Sequence, residues 1–123
     1  MPRVLIVDDD EAILLTLDLL RFEGIEIIGR ATNGAEAVEK ASELNPDVVV
    51  MDLKMPVMNG IDATRKIKET VPSVQVIMHT AYDEPDLELS AKEAGAYAYL
   101  IKGCSREATA RMITEAADAR SSN

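Results

Sequence analysis

Residues 47–56 read DVVVMDLKMP: an unbroken apolar run, Val48 to Met51, that stops on a single acid, Asp52. A strand with one wet face alternates apolar and polar residues, whereas a strand covered on both faces has no reason to. This run is short and rich in β-branched side chains, so it reads as a doubly covered strand. The same texture recurs at Val4–Val7, Ile25–Ile28, Val74–Met78 and Tyr97–Ile101. Longer stretches with helical spacing separate these runs. Ile13, Leu17 and Leu20 recur at i, i+4, i+7, as do Ala37, Ala41 and Leu44, and Leu87, Ala91 and Ala94. Ala108, Met112 and Ala116 form a further stripe after the last run.

The punctuation agrees with that reading. Gly24 suits a helix C-terminus, Asn33-Gly34 a turn, and Asn45-Pro46 and Pro72 helix ends. Pro85 suits the first turn of the fourth helix and Gly95 its end. Strands that alternate with helices predict an α/β fold, a mostly parallel sheet with helices on both faces. Right-handed crossovers narrow the topology further.

Composition sets bounds on size and partners. The 123 residues suit one core. Residues 1–118 read as the domain and 119–123 as a polar tail or the start of a linker. With no Trp, the core must be built from Val, Ile, Leu, Met and Ala. The formal net charge of −9 argues against direct nucleic-acid binding, which draws on Lys and Arg facing phosphates. One cysteine, Cys104, precludes an internal disulfide and fits a reducing cytoplasm. The opening MPRVLIVDDD is no signal peptide, and no apolar run reaches the ~20 residues needed to cross a bilayer. The expected location is cytoplasmic, without membrane contact.

Ligands of open α/β sheets sit at the carboxyl ends of the strands, where strand order reverses. Asp8, Asp9 and Asp10 follow the first strand, Asp52 ends the third, His79 and Thr80 follow the fourth, and the fifth runs into Lys102. If the first and third strands are neighbours, Asp8, Asp9 and Asp52 converge. Mutually repelling carboxylates would have raised pKa values or demand a cation. Mg²⁺ suits one or two carboxylates, several waters and a phosphate oxygen. A carboxylate nucleophile, a cation, the Lys102 ammonium and the Thr80 hydroxyl together suit a phosphoryl group. Asp52 is the best nucleophile candidate because a buried strand holds it.

Four segments, VLIVDDDEAI (4–13), DVVVMDLKMPVMNGID (47–62), VIMHTA (76–81) and AGAYAYLIKG (94–103), resemble the response-regulator receiver domain along almost the whole chain. That resemblance implies a flavodoxin-like (βα)5 fold of strand order 2-1-3-4-5. It implies that Asp52 is the phospho-acceptor and that Asp9 ligates Mg²⁺ directly, with Asp8 acting through water. The backbone carbonyl of Lys54 would complete the metal contacts. Thr80 is implied as the switch hydroxyl, Lys102 as the phosphate-contacting lysine, and Tyr99 as the aromatic that changes rotamer. The implied donor is a phosphohistidine on a sensor histidine kinase. The implied output is a change in the face formed by the fourth helix, fifth strand and fifth helix, with homodimerisation a conceivable readout. Gly103 stands where many receivers have Pro, so the Lys102–Gly103 peptide is expected to be trans and its loop looser or differently shaped. Lys-Gly here is similar to receivers joined to LuxR-type helix-turn-helix domains, which hints at a DNA-binding output domain; the alternative is a stand-alone receiver acting only through protein partners. Lys54 and Tyr82 flank the expected phosphoryl group.

Other polar residues have plainer readings. Asp10 and Glu11 suit the first turn of a helix. His79 reads as structural, and Cys104 as a small buried thiol. Tyr97 would share a strand face with Tyr99 by period two. Two competing functions are weaker. An aspartyl-phosphate phosphatase or phosphotransferase would favour an acid two residues past the nucleophile, where Lys54 stands. A nucleotide or flavin module would favour a glycine-rich phosphate loop, and none is present. The chain is therefore expected to be a switch rather than an enzyme acting on outside substrates.

Overall fold

The computed structural model describes residues 1–121 of the chain. The elements run β1 (Arg3–Val7), α1 (Glu11–Asp18), a 3-10 turn (Leu19–Glu23), β2 (Glu26–Ala31), α2 (Gly34–Leu44) and β3 (Val48–Met51). They continue through α3 (Gly60–Thr70), β4 (Gln75–Thr80), α4 (Pro85–Glu93), β5 (Ala98–Ile101) and α5 (Arg106–Ser121). The strands form one parallel sheet of order β2-β1-β3-β4-β5, as the resemblance implied. Strand order reverses between β1 and β3, so the carboxyl ends of these two strands flank the switch point.

The pleat divides the core into two layers. Leu5, Val7, Val49, Met51, Val76 and Met78 face α2, α3 and α4, where Ala37, Ala41, Ala63, Ile67 and Ala91 meet them. Val4, Ile6, Val48, Val50 and Ile77 face the other way, toward Leu14, Leu17, Ile113 and Ala116 of α1 and α5. Small alanines on the helices let them lie close to branched strand residues, so no aromatic is needed to fill either layer.

Local signals start and stop the helices. Asp10 Oδ1 accepts from Ala12 N (2.9 Å) and caps α1, the structural part expected of it. Asn33 caps α2, with Glu36 N donating to Asn33 Oδ1, and the Glu36 side chain reaches back past the cap to accept from Thr32 N, each at 2.8 Å. Asn59 caps α3. Pro85 opens α4, whose N-terminus has no side-chain cap and which buries Ala91 alone.

Four expectations need correction. β2 runs on to Ala31 and is an edge strand, only half covered, so Ile27 and Ile28 are not doubly buried. The buried stripe of α5 is Thr109, Ala110, Ile113, Ala116 and Ala117; Ala108 and Met112 lie at its margin. The tail expected from residue 119 is helical through Ser121, because Arg120 anchors that turn. Its guanidinium donates to Pro46 O and Asp47 Oδ1 (both 2.9 Å) and to Asn45 Oδ1 (2.6 Å). The last two residues of the expected tail, 122 and 123, lie outside the described residues. Tyr97 precedes β5 and packs in the α1–α5 layer, opposite Tyr99.

Candidate functional site

β1 and β3 are paired at Val7 and Met51, so Asp8 and Asp52 leave the sheet side by side. Backbone bonds hold both positions: Asp52 N donates to Val7 O (2.9 Å) and Asp8 N to Ala31 O (3.1 Å). Asp8, Asp9 and Asp52 each offer an oxygen within 4.8 Å of the others. Asp8 and Asp52 are buried while Asp9 is exposed, so the cluster opens to solvent through Asp9.

The charges are incompletely balanced. Asp8 Oδ1 accepts from Asp10 N (2.9 Å). Asp8 Oδ2 is sealed from solvent and forms no aligned hydrogen bond; its counter-charge is the Lys102 ammonium at 2.9 Å. Lys102 Nζ also lies 3.1 Å from Asp52 Oδ1, which accepts from Leu53 N at 2.9 Å. Burial, and then the Asp8 charge, push the Asp52 carboxyl up to about 6, against the opposing pull of Lys102 and the Leu53 N–H. Burial alone would lower the Lys102 pKa, but the Asp8 and Asp52 carboxylates outweigh it and hold the ammonium above its ordinary value. One ammonium thus serves two buried acids, with a third acid at the rim. An unsatisfied carboxylate oxygen among hard oxygen donors fits a divalent cation such as Mg²⁺.

Two glycines bring the loop after β3 against the site. A Cβ on Gly60 would lie 2.0 Å from Asp52 O, and one on Gly34 would lie 2.3 Å from Met58 O. Gly60 N donates to Leu53 O (2.7 Å) and Gly34 N to Met58 O (3.0 Å). Between them Val57 adopts φ 69°, and Met58 N donates to Pro56 O (2.8 Å), a tight γ-turn centred on a β-branched residue. These close approaches depend on tertiary packing. The glycines stood in quoted or punctuating motifs, but nothing in the sequence signalled the Val57 turn.

Across the cluster, Thr80 is buried at the end of β4, and its Oγ1 accepts from Tyr82 N (3.0 Å). Lys102 N donates to Thr80 O (2.7 Å), extending the β4–β5 ladder to the lysine. The Tyr99 hydroxyl donates to Tyr82 O, and burial raises its pKa. Tyr82 thus connects Thr80 to Tyr99, a link the sequence did not reveal. The Lys54 ammonium rests over the Tyr82 ring.

All described peptide bonds are trans, including Lys102–Gly103. The turn there is formed rather than loose: Gly103 takes φ 102° and Cys104 N reaches Ile101 O (3.4 Å). Cys104 is exposed, contrary to the buried thiol expected, because it lies on this turn beyond the strand. Its Sγ is 3.3 Å from Thr109 Oγ1. His79 is buried and points to the opposite side of β4 from Thr80. Burial depresses its imidazole to about 4.

A family model described as the response regulator receiver domain matches residues 4–114. This chain belongs to the response-regulator receiver family. The receiver is 40% identical over 116 residues to the transcriptional regulatory protein LnrK of Bacillus subtilis, which covers 92% of this chain and 52% of LnrK. It is 45% identical over 101 residues to the chemotaxis protein CheY of Thermotoga maritima, covering 81% of this chain and 84% of CheY. The receiver therefore spans about half the length of LnrK. The solved CheX–CheY–BeF3–Mg complex of Borrelia burgdorferi is similar at TM-score 0.86 and 32% identity, over 92% of the receiver and 87% of that chain. Receivers of two-component response regulators are signalling switches. Among the described residues, no helix of this one is long and apolar enough to cross a membrane.

Proposed function

We propose that Asp52 takes a phosphoryl group from a phosphohistidine on a sensor histidine kinase. The observation that carries this reading is the trio of carboxylates within 4.8 Å of one another, two of them sharing the Lys102 ammonium. Asp9, Asp52 and the Lys54 backbone carbonyl would hold Mg²⁺ directly, with Asp8 acting through water. The cation would neutralise charge on the phosphoryl oxygens. The resemblance to a CheY solved with BeF3 and Mg supports this assignment.

The chain's own residues do the rest. Asp52 supplies the attacking oxygen; the donor's P–N bond breaks as the new P–O bond forms. Lys102 turns from the carboxylates toward the added phosphoryl oxygens, which carry more charge. The Thr80 hydroxyl keeps its acceptor role toward Tyr82 N and donates its proton to a phosphoryl oxygen. Movement of Thr80 then pulls the Tyr82 backbone, and with it the Tyr99 hydroxyl. α4 is lightly fastened, with no side-chain cap and one buried alanine, so it is the helix readiest to shift. The α4–β5–α5 face is what a partner, or a second copy of this chain, reads.

The match to 52% of LnrK suits a receiver joined to an output domain, of the DNA-binding kind found with LuxR-type regulators, and the match to 84% of CheY suits one that acts through protein partners alone. The receiver itself, at net charge −9, contacts no nucleic acid and works in the cytoplasm. It turns over no outside substrate beyond loss of its own phosphoryl group. Incubation with Mg²⁺ and acetyl phosphate should add one labile phosphoryl group by mass spectrometry, and none in Asp52→Asn. Labelling that persists in Asp52→Asn would move the acceptor elsewhere.

A further inference from the structure

A second site lies on the other side of the sheet from Thr80. A cavity of about 300 Å³ opens between the end of α1 and the start of α5. Ile13, Leu17 and Leu20 form its apolar wall, and the Gly103–Cys104 turn closes the far side. Two buried polar side chains line it, His79 from β4 (7% exposed) and Thr109 from α5, whose hydroxyl already donates to Ser105 O. That size and mostly apolar lining suit a small molecule better than ordered water.

The imidazole is the unusual element. His79 Nδ1 is sealed from solvent with no hydrogen-bond partner. A buried polar atom in that condition calls for an explanation. An orphaned N–H is rarer in proteins than an orphaned lone pair, so the neutral ring places its proton on Nε2. Nε2 is not among the sealed atoms. The ring therefore presents an N–H donor on the edge that remains open, and among the described residues no group accepts from it.

The cations that line the cavity are already paired. Lys102 is held by Asp8 and Asp52, and Arg106 Nε lies 3.3 Å from Glu23. Glu107 is exposed at the rim. An anionic ligand would find no spare cation inside, a cationic one would meet Lys102 and Arg106 in the lining, and either would lose its hydration on entry.

We propose that this cavity binds a small uncharged molecule with an apolar body and one hydrogen-bond acceptor, such as a carbonyl oxygen, which accepts from His79 Nε2–H. The site is separate from the acidic cluster, touching it only through Lys102, and it does not require Asp52 to be phosphorylated.

The chain has a single histidine, so its imidazole nitrogen resonances report this residue alone. The experiment titrates the whole chain, labelled with ¹⁵N in histidine and ¹³C in Ile and Leu methyls, with acetophenone. A parallel titration uses α-methylstyrene, which replaces the carbonyl oxygen with a methylene of similar shape. The ligand-free spectrum should show the Nε2–H tautomer. Acetophenone should shift Nε2 and the Ile13 and Leu17 methyls saturably, binding about tenfold more tightly than α-methylstyrene, as one net hydrogen bond provides. His79→Phe should abolish that preference while leaving acetyl phosphate labelling intact. An Nδ1–H tautomer, equal binding of the two probes, or no saturable shift up to the solubility limit would each overturn the proposal. The wild-type titrations decide the matter even if His79→Phe does not fold.

Discussion

The Lys54 ammonium sits 4.0 Å from the centroid of the Tyr82 ring, joining the loop after Asp52 to the loop after Thr80. A cation over an aromatic face at a partly exposed site contributes about 0.5–1 kcal/mol. Lys54→Ala should therefore loosen the loop between β4 and α4 by a few-fold. Amide hydrogen exchange should be faster at Tyr82 and Asp83 and unchanged in β3. Uniform exchange in both proteins would show that the contact does not fasten the loop.

The Tyr99 hydroxyl donates to Tyr82 O, so Tyr99→Phe separates that bond from the packing of the ring. The variant should accept phosphate at Asp52 as readily as the parent. Its α4 amide shifts on phosphorylation should be clearly smaller, as read by two-dimensional NMR. Equal shifts would place the relay elsewhere.

Asp52 is held protonated to higher pH than an ordinary aspartate, about 6 against 3.8. Below the ordinary value, native and unfolded chains both carry the proton and nothing is lost. As pH rises through about 6 the native site must take on a charge it disfavours, and stability falls. Without divalent cation, Asp52→Asn should be more stable than the parent by about 2–3 kcal/mol at pH 8. The gain should vanish below pH ~4, and Mg²⁺ should narrow it at pH 8 by stabilising the parent. Urea titrations at the two pH values measure this; a gain that grows toward low pH would contradict the burial argument.

Val57 holds a left-handed backbone with a branched side chain, a conformation worth about 1–3 kcal/mol of strain. Glycine relieves it but adds freedom to the unfolded chain. Val57→Gly should raise the urea midpoint by an amount equivalent to about 1 kcal/mol, with the slope unchanged. A lower midpoint would mean that contacts of the exposed valine outweigh the strain.

Gly60 and Gly103 should respond differently to alanine. At Gly60 the new methyl meets the Asp52 carbonyl, which cannot yield without moving the nucleophile, so Gly60→Ala should cost more than about 2 kcal/mol and abolish labelling. At Gly103 there is open space, and only the φ of 102° resists. Gly103→Ala should cost about 1 kcal/mol and leave labelling nearly intact. Thermal melts and acetyl phosphate labelling of the pair distinguish steric from conformational need.

The sequence revealed most where a residue's environment was uniform. β1, β3 and β4 are covered on both faces, so their apolar runs are continuous and the acid or hydroxyl ending each is conspicuous. β2 lies at an edge, where Gly29 and Arg30 interrupt the texture and hide its length. The phase of α5 is not legible from polarity, because Thr109 is buried with its hydroxyl bonded to Ser105 O. Asp8, Asp9, Asp52, Thr80 and Lys102 were legible because strand ends bring them together. The Tyr82 link, the Val57 turn and the sealed His79 nitrogen arise from how separate segments approach one another, which no local pattern encodes.

Asp8, Asp9 and Asp10 are three copies of one side chain with three separate duties. Asp8 is buried and clasped by Asp10 N and Lys102, Asp9 faces out beside the cluster, and Asp10 ends the preceding loop by capping α1. A saturation scan would therefore not see one motif. Tolerance should be narrowest at Asp8, where even a longer acid is misplaced, and broadest at Asp10, where Ser, Thr or Asn serve equally well. The repeated letter in the sequence thus conceals three independent constraints, and neutral drift should be free to erase the third while preserving the first two.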